Sequence, residues 1–371
     1  MLLTAIVFII LLSVLVLVHE FGHFYTARKL GVKVEEFGIG FPPKALGIKS
    51  KKTGITYSIN WLPLGGFVKI KGEDGEHRDD QDSFSHQKIW KRIVIISAGV
   101  FMNFVLACVL LGIAFTIGAP AVIDDGLDNA RIKDQKVQIY EVLENSPAKE
   151  VGLKAGDAVI RVDNVEVTQP ADLSDYVKTK DNQEVKLIVK RLNEEMEFVA
   201  TPQFIDELQA AGLGVSVVKT GIVSYPWYKS IWLGVKTGVL MTGSIIKGFG
   251  IVIKNLVTTG KAGFEVAGPV GIAVLTGQMT KLGINYLINF AAILSLNLMI
   301  INFLPFPALD GGRVLFLIIE KLRGKPIKPK IENLIHTIGF ALLILLVIIV
   351  TGRDIFKFKD IFGNIWDKIV S

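Results

Sequence analysis

The residues best suited to chemistry in this chain stand together in His19-Glu20-Phe21-Gly22-His23. Two histidines four positions apart lie on one face of a helix, so both imidazoles can turn toward one metal ion. A glutamate directly after the first histidine can accept a proton from water bound to that metal. Zinc suits such nitrogen ligands, and it lowers the pKa of bound water to about 7, so hydroxide forms at neutral pH. Glu20 is then the catalytic base, which later hands the proton to a leaving amine. The competing reading is polar packing between helices. It is expensive here, because ionisable side chains at the end of an apolar helix must be used or paired.

A catalytic zinc needs a third protein ligand and one open position. Asp310, in Pro307-Ala308-Leu309-Asp310-Gly311-Gly312, is the best candidate. The same string is also an ordinary turn sequence, since Asp-Gly favours turns, and spacing alone leaves both readings open. His77 and His86 stand in a charged segment, and His336 begins an apolar block where an interfacial role suits it better.

These residues must be positioned by membrane helices. Half of the 371 residues are hydrophobic, and the mean hydropathy of +0.47 is too high for an ordinary soluble enzyme. The apolar residues come in blocks. Leu2–Val18 is followed by His-Glu and preceded by no basic residue, so it reads as a retained transmembrane helix continuing to about Leu30 and not as a cleaved signal peptide. Ile89–Ile117, Ile284 to about Phe303, and Leu334–Val350 are three further spans. Pro305 and Pro307 end the third.

Charge sets the expected orientation. Arg28–Arg92 holds 13 Lys+Arg against 8 Asp+Glu, Gly118–Tyr286 holds 18 against 20, and Arg313–Lys330 holds 6 against 1. Basic segments beside spans stay cytoplasmic, which puts Gly118–Gly283 and both termini outside. His19, His23 and Asp310 then reach similar depth near the inner face. Trp227–Val257 is apolar enough for a fifth span, which would strand Asp310 on the other side. However, Lys229, Lys236, Lys247 and Lys254 fall on one helical stripe. An amphipathic helix at the outer membrane surface fits better. The pI near 9.1 thus reflects topology, and no interleaved basic and aromatic pattern supports nucleic-acid binding.

Four regions are expected: 1–117 with two spans and a cytoplasmic β-rich loop at 32–88; a folded outer domain at 118–220; amphipathic surface helices at 221–283; and two spans at 284–371. In the outer domain, Val137–Leu143, Ala158–Val167 (turning at Asp163-Asn164), Glu184–Leu192, Met196–Ala200 and Gly212–Val218 read as strands. A hairpin turn is expected at Asn193-Glu194, and Pro147–Val151 and Pro170–Thr179 read as helices. The single cysteine, Cys108, excludes an intrachain disulfide. In the cytoplasmic loop, Leu64-Gly65-Gly66-Phe67-Val68 suggests a β-hairpin edge. Gly65, Gly66 and Phe67 could hold an unwound substrate segment by strand pairing.

His19-Glu20-Phe21-Gly22-His23 together with Asn302…Pro305…Pro307…Leu309-Asp310-Gly311-Gly312 resembles the site-2 protease family of intramembrane zinc metalloproteases, in its bacterial regulator-of-sigma-factor branch. Gly99-Val100-Phe101-Met102-Asn103, Leu64–Val68 and Gly268-Pro269-Val270-Gly271-Ile272 are similar to further elements of that branch. Asn145-Ser146-Pro147-Ala148 and Gly152-Leu153-Lys154-Ala155-Gly156-Asp157 resemble a PDZ domain; some members carry two in tandem, and this chain has room for one. The resemblance implies a polytopic α-helical membrane protein with cytoplasmic membrane-associated β-hairpins and one extracytoplasmic PDZ-like α+β domain. It implies Zn2+ held by His19, His23 and Asp310, Glu20 as base, and Asn302 near the substrate strand. The implied partners are the lipid bilayer and membrane-anchored substrates: single-span regulators such as anti-sigma factors, or remnant signal peptides. The implied place is a bacterial inner membrane. Two rivals are a non-catalytic PDZ scaffold, disfavoured by the intact His19, Glu20, His23 and Asp310, and a metal transporter, which has no use for Glu20 between two histidines.

Overall fold

The computed structural model describes residues 2–124, 127, 129–192, 194–205, 210–260 and 267–357. The chain opens with helix α1 (Leu2–Lys29), strands β1 (Val34–Lys49) and β2 (Thr56–Ile70), a 3-10 turn at Phe84–His86 and helix α2 (Ile89–Ile117). Then follow β3 (Ala119–Val122), β4 (Arg131–Val142), α3 (Pro147–Glu150), β5 (Ala158–Val162), β6 (Val165–Glu166), α4 (Pro170–Lys178), β7 (Val185–Arg191), β8 (Glu194–Ala200), β9 (Gln203–Ile205), β10 (Ala210–Gly212) and β11 (Val215–Ser224). The remainder is helical: α5 (Trp227–Thr259), α6 (Pro269–Leu282), α7 (Ile284–Phe303), α8 (Asp310–Arg323) and α9 (Pro329–Lys357). Two compact units result. One comprises Met1–Leu111, Gly234–Thr280 and Phe290–Ser371; the other comprises Gly112–Leu233 and Lys281–Asn289.

In the first unit, α1 buries Leu11, Leu15, His19, His23 and Ala27, a ridge of residues four apart that packs as one line. At 28 residues it is about 42 Å long, enough for a hydrocarbon core of about 30 Å. Gly22 is what lets α2 approach: a Cβ there would strike the Ala98 carbonyl oxygen. Small residues at such crossings are how apolar helices meet in a membrane. α7 joins through Ser295, whose hydroxyl donates to the Asn103 carbonyl oxygen at 2.7 Å.

β1 and β2 fold into four short rungs. Phe37 pairs with both Val68 and Tyr57, while Ile48 pairs with Tyr57 further along. The segment from Gly66 to Ile70 is therefore an edge. It lies against α1, with Gly65 beside Val16 and Gly66 beside Leu17. Behind it, Phe24, Ala27, Val34, Ile70, Phe84, Ile95, Ile96, Val314 and Leu317 form one core that draws α1, the sheet, α2 and α8 together. Arg92 Nη1 clamps that core, 3.2 Å from both carboxylate oxygens of Glu320 on α8.

The second unit carries a seven-stranded antiparallel sheet in the order β3-β11-β4-β5-β7-β8, with β6 added beside β5. Alternation at Val185, Leu187 and Val189 buries one face over Leu153, Leu173 and Val177. The expected strands and both helices are present. β3 and the charged first half of β4 were not expected. They exist because β11 runs on to Ser224 and pairs with both. The turn residue Asn193 lies outside the described residues.

Among the described residues, five helices are long and apolar enough to cross a membrane: α1, α2, α5, α7 and α9. The count of four omits α5, which is one unbroken helix of 33 residues. Its small residues Ser230, Gly234 and Gly238 are buried, and Gly238 meets Cys108 on α2. At about 100° per residue the four-lysine stripe lies on the side opposite this one. After α5 the chain comes back to the end of the unit at which α1 starts: Gly277 of α6 meets Thr4, and Gly271 meets Asp354 near the end of α9. α5 therefore does not strand Asp310.

Candidate active site

The site is built where α1, α2 and α8 converge. His19 and His23 are both buried on the α1 ridge, 6% and 8% exposed. Their Nε2 atoms lie 3.2 Å apart. Asp310 Oδ2 is 3.0 Å from His19 Nε2 and 3.4 Å from His23 Nε2. Among the described residues, these three form the cluster of histidine and carboxylate atoms close enough to share one metal ion.

The tautomers follow from the outer neighbours of each ring. His23 Nδ1 lies 2.9 Å from the Ile95 carbonyl oxygen, which can only accept, so the proton is on Nδ1 and Nε2 carries a lone pair. His19 Nδ1 lies 3.3 Å from the Asn103 amide. Asn103 is fully buried and its Oδ1 lacks a hydrogen-bond partner. Turning that amide so that Oδ1 faces His19 Nδ1–H pairs those two atoms and leaves His19 Nε2 bare. Asp310 Oδ2 is itself buried without a hydrogen bond. In those tautomers three lone-pair donors face one another, a convergence that a cation between them makes attractive.

The spacing fits zinc. With metal–ligand bonds of about 2.05 Å, a tetrahedral site separates its ligand atoms by about 3.3 Å. The three observed separations are 3.0, 3.2 and 3.4 Å. Histidines oriented by a carbonyl or an amide through the other ring nitrogen are the usual support for such a metal.

Asp310 reaches the site because α7 stops. After Phe303 the two prolines prevent continuation, and the chain doubles back before Leu309 opens α8 in an extended conformation. Asp310 is the first residue of α8. Gly311 and Gly312 follow because their Cβ atoms would strike the carbonyl oxygens of Phe303, Leu304 and Phe306. Ala308 sits at φ +75°, a left-handed conformation that costs a non-glycine residue about 1–2 kcal/mol. Its N–H donates to His336 Nδ1 of α9 at 2.9 Å.

Glu20 stands about 100° round α1 from His19. Its Oε2 accepts from the Val68 N–H at 3.1 Å, so the carboxylate lies on the free edge of the strand that contains Gly66 and Phe67. Gly65 takes φ +70° at the bend leading into that edge. Asn302 is half-buried in the last turn of α7, and no hydrogen bond links it to His19, His23 or Asp310. Gly99 lies against both imidazoles: a Cβ there would strike His23 Nε2 and lie 2.9 Å from His19 Cε1. His77 and His86 are held elsewhere, by Asp80 at 3.4 Å and the Arg78 carbonyl oxygen at 2.8 Å. His336 also bonds Ala308, a contact that no residue spacing announces.

The second unit has a groove of about 670 Å³ between α4 and the stretch entering β11, lined by Leu173, Val177, Leu213, Gly214 and Val215 among others.

The family described as Peptidase family M50 matches residues 7–346. A relative from Clostridium perfringens is 36% identical over 92% of this chain and 96% of its own length. The zinc metalloprotease RasP of Shouchella clausii is 31% identical, covering 95% of this chain and 99% of that protein. The regulator of sigma-W protease RasP of Bacillus subtilis is 30% identical, covering 95% and 98%. Among solved structures, the PDZ domain of the SdrC-like protein of Listeria monocytogenes is 23% identical over 24% of this chain and 92% of that domain, with a TM-score of 0.22. Matched over more than nine-tenths of its length, with the two-histidine helix and Asp310 meeting at one point, the chain belongs to peptidase family M50.

Proposed function

We propose that this protein is a zinc metalloprotease that cuts membrane-anchored proteins within or beside the bilayer, with His19, His23 and Asp310 as zinc ligands and Glu20 as base. The observation that carries the reading is the triangle of Nε2, Nε2 and Oδ2 atoms, 3.0 to 3.4 Å on a side, buried against an apolar helix pair. A zinc ion held there supplies Lewis acidity toward water and toward a peptide carbonyl. Glu20 receives a proton on its carboxylate and passes it to the departing amide nitrogen, while the Val68 N–H fixes which oxygen is free to do so.

A substrate helix hides its carbonyls in internal hydrogen bonds and must unwind first. The free edge at Gly66–Val68 offers backbone partners to an unwound strand, next to Glu20. Asn302 at the end of α7 is suited to hold the same strand. The groove beside β11 is suited to an extended peptide or a chain end, as in PDZ domains.

The charge pattern supports a cytoplasmic position for the β1–β2 sheet and an outer position for the second unit in a bacterial inner membrane, with both termini outside. α5 is best accommodated obliquely at the outer surface. A lysine at the bilayer centre costs about 2.5–3.5 kcal/mol, and this helix has four on one stripe. One relative is named a regulator of sigma-W protease, and the family resemblance suggests anti-sigma regulators as one substrate class.

Purified protein should retain about one zinc per chain, the stoichiometry of a single three-residue site. Asp310→Ala should abolish retention while the chain still elutes as a single species. Retention undiminished in Asp310→Ala, or absent from the unsubstituted protein, would refute the ligand set.

A further inference from the structure

We propose that His336 is a positioning residue for the metal centre: its Nδ1 accepts the Ala308 N–H and so holds the turn that delivers Asp310. The proposal rests on the metal reading above.

The turn needs holding. Pro305 to Leu309 has few internal hydrogen bonds, a Phe306 N–H to the Leu304 carbonyl oxygen at 2.7 Å and a Leu309 N–H to that of Phe306 at 3.2 Å. Ala308 stands between them in the left-handed region at φ +75°, a conformation alanine leaves unless something external fixes it. Two residues later comes Asp310. A change of φ at Ala308 swings everything after it, so the aspartate oxygen is only as well placed as this one residue.

α9 provides the fixing on one face. His336 and Gly339 are three apart and therefore neighbours on that face. His336 accepts from Ala308 at 2.9 Å. Gly339 lets the preceding residue seat itself, since a Cβ there would lie 2.5 Å from Pro307 Cβ and 2.6 Å from its carbonyl oxygen. The imidazole is steadied from behind by Phe316 of α8, with ring centroids 5.3 Å apart. Backbone, donor and ring thus form a bracket around the turn from two helices.

The bond also dictates the chemistry of the imidazole. A nitrogen that accepts an amide proton has none of its own, so His336 is neutral with its proton on Nε2. That atom is buried without a protein partner. The same side chain lines a polar cavity of about 260 Å³ together with Glu73, Arg313, Glu332 and Asn333. A packing residue at this position would need neither an acceptor nor that cavity.

The test uses the full chain in detergent and reads zinc transfer to a coloured chelator, with the visible spectrum of the cobalt-substituted protein as a second readout. His336→Leu removes the acceptor and should weaken metal retention about 10- to 100-fold, the usual scale for a residue supporting a metal ligand. His336→Asn returns an acceptor at the Nδ1 position and should recover most of the retention and the unsubstituted cobalt spectrum. Gly339→Ala displaces the same turn without touching His336 and should weaken retention in the same direction. Retention in His336→Leu equal to the unsubstituted chain would overturn the proposal. So would an Asn variant as defective as the Leu variant, because side-chain volume would then be what matters. Loss of zinc from the unsubstituted chain would instead overturn the metal reading on which the proposal rests.

Discussion

Glu20 and the two histidines beside it divide their work by direction: the imidazoles face α2 and Asp310, while the carboxylate faces the sheet edge at Val68. Glu20→Gln keeps the shape and the Val68 bond but cannot take a proton. It should lower turnover by about 10²–10⁴-fold, the usual worth of a general base, with zinc content unchanged by elemental analysis. Gly99→Ala should act the opposite way. Its Cβ enters the space of His23 Nε2, so metal should be lost and activity with it, and atomic emission on the purified variant reads this directly. The histidine pair and Glu20 were legible in the sequence because i, i+4 spacing is a property of one helix. Asp310 was left open by spacing, since its approach depends on where α7 stops. Ile95, Ala308 and His336 were not legible at all: a backbone carbonyl and a left-handed alanine leave no mark on residue type.

At the scale of elements, the edge of β2 and the buried ion pair of the second unit make separate predictions. Val68→Pro removes the N–H that holds Glu20 and interrupts the edge offered to substrate. Cleavage should fall sharply while zinc is retained, a combination that peptide-cleavage and metal assays on one sample distinguish. In the second unit, Arg191 grips Asp157 with two hydrogen bonds of 2.7 Å, Nε to Oδ1 and Nη2 to Oδ2. Asp157 is 1% exposed and also accepts from the Lys154 N–H at 2.9 Å. Asp157→Ala leaves the guanidinium beside an apolar gap and should destabilise this unit by about 3 kcal/mol, read as faster proteolysis between β3 and β11 in the full chain. The bounds of α2 and α7 were readable to the residue because charges and prolines punctuate them. The two-sided pairing of β1 and the addition of β3 were not, since both depend on partners far along the chain.

For the whole molecule, the proposed orientation puts Lys180 outside and Lys52 in the cytoplasm. In a Cys108→Ala background, Lys180→Cys should react with an impermeant thiol reagent on intact spheroplasts, and Lys52→Cys only after lysis. The reverse pattern would invert the proposed orientation. The sequence carried the membrane class, the family and the α+β domain through hydropathy blocks and ordered motifs. It read α5 as an amphipathic surface helix from its lysine stripe, although length and apolarity also permit a span, and both properties belong to the same residues.

The central claim is tested most directly by incubating the purified protein in detergent with a single-span model substrate, beside Glu20→Gln, and measuring bound zinc in both. The account predicts cleavage by the unsubstituted protein alone, with equal zinc in the two. Equal cleavage by both would contradict it, as would equal zinc with no cleavage of several substrates by either while RasP-type relatives are active in the same assay.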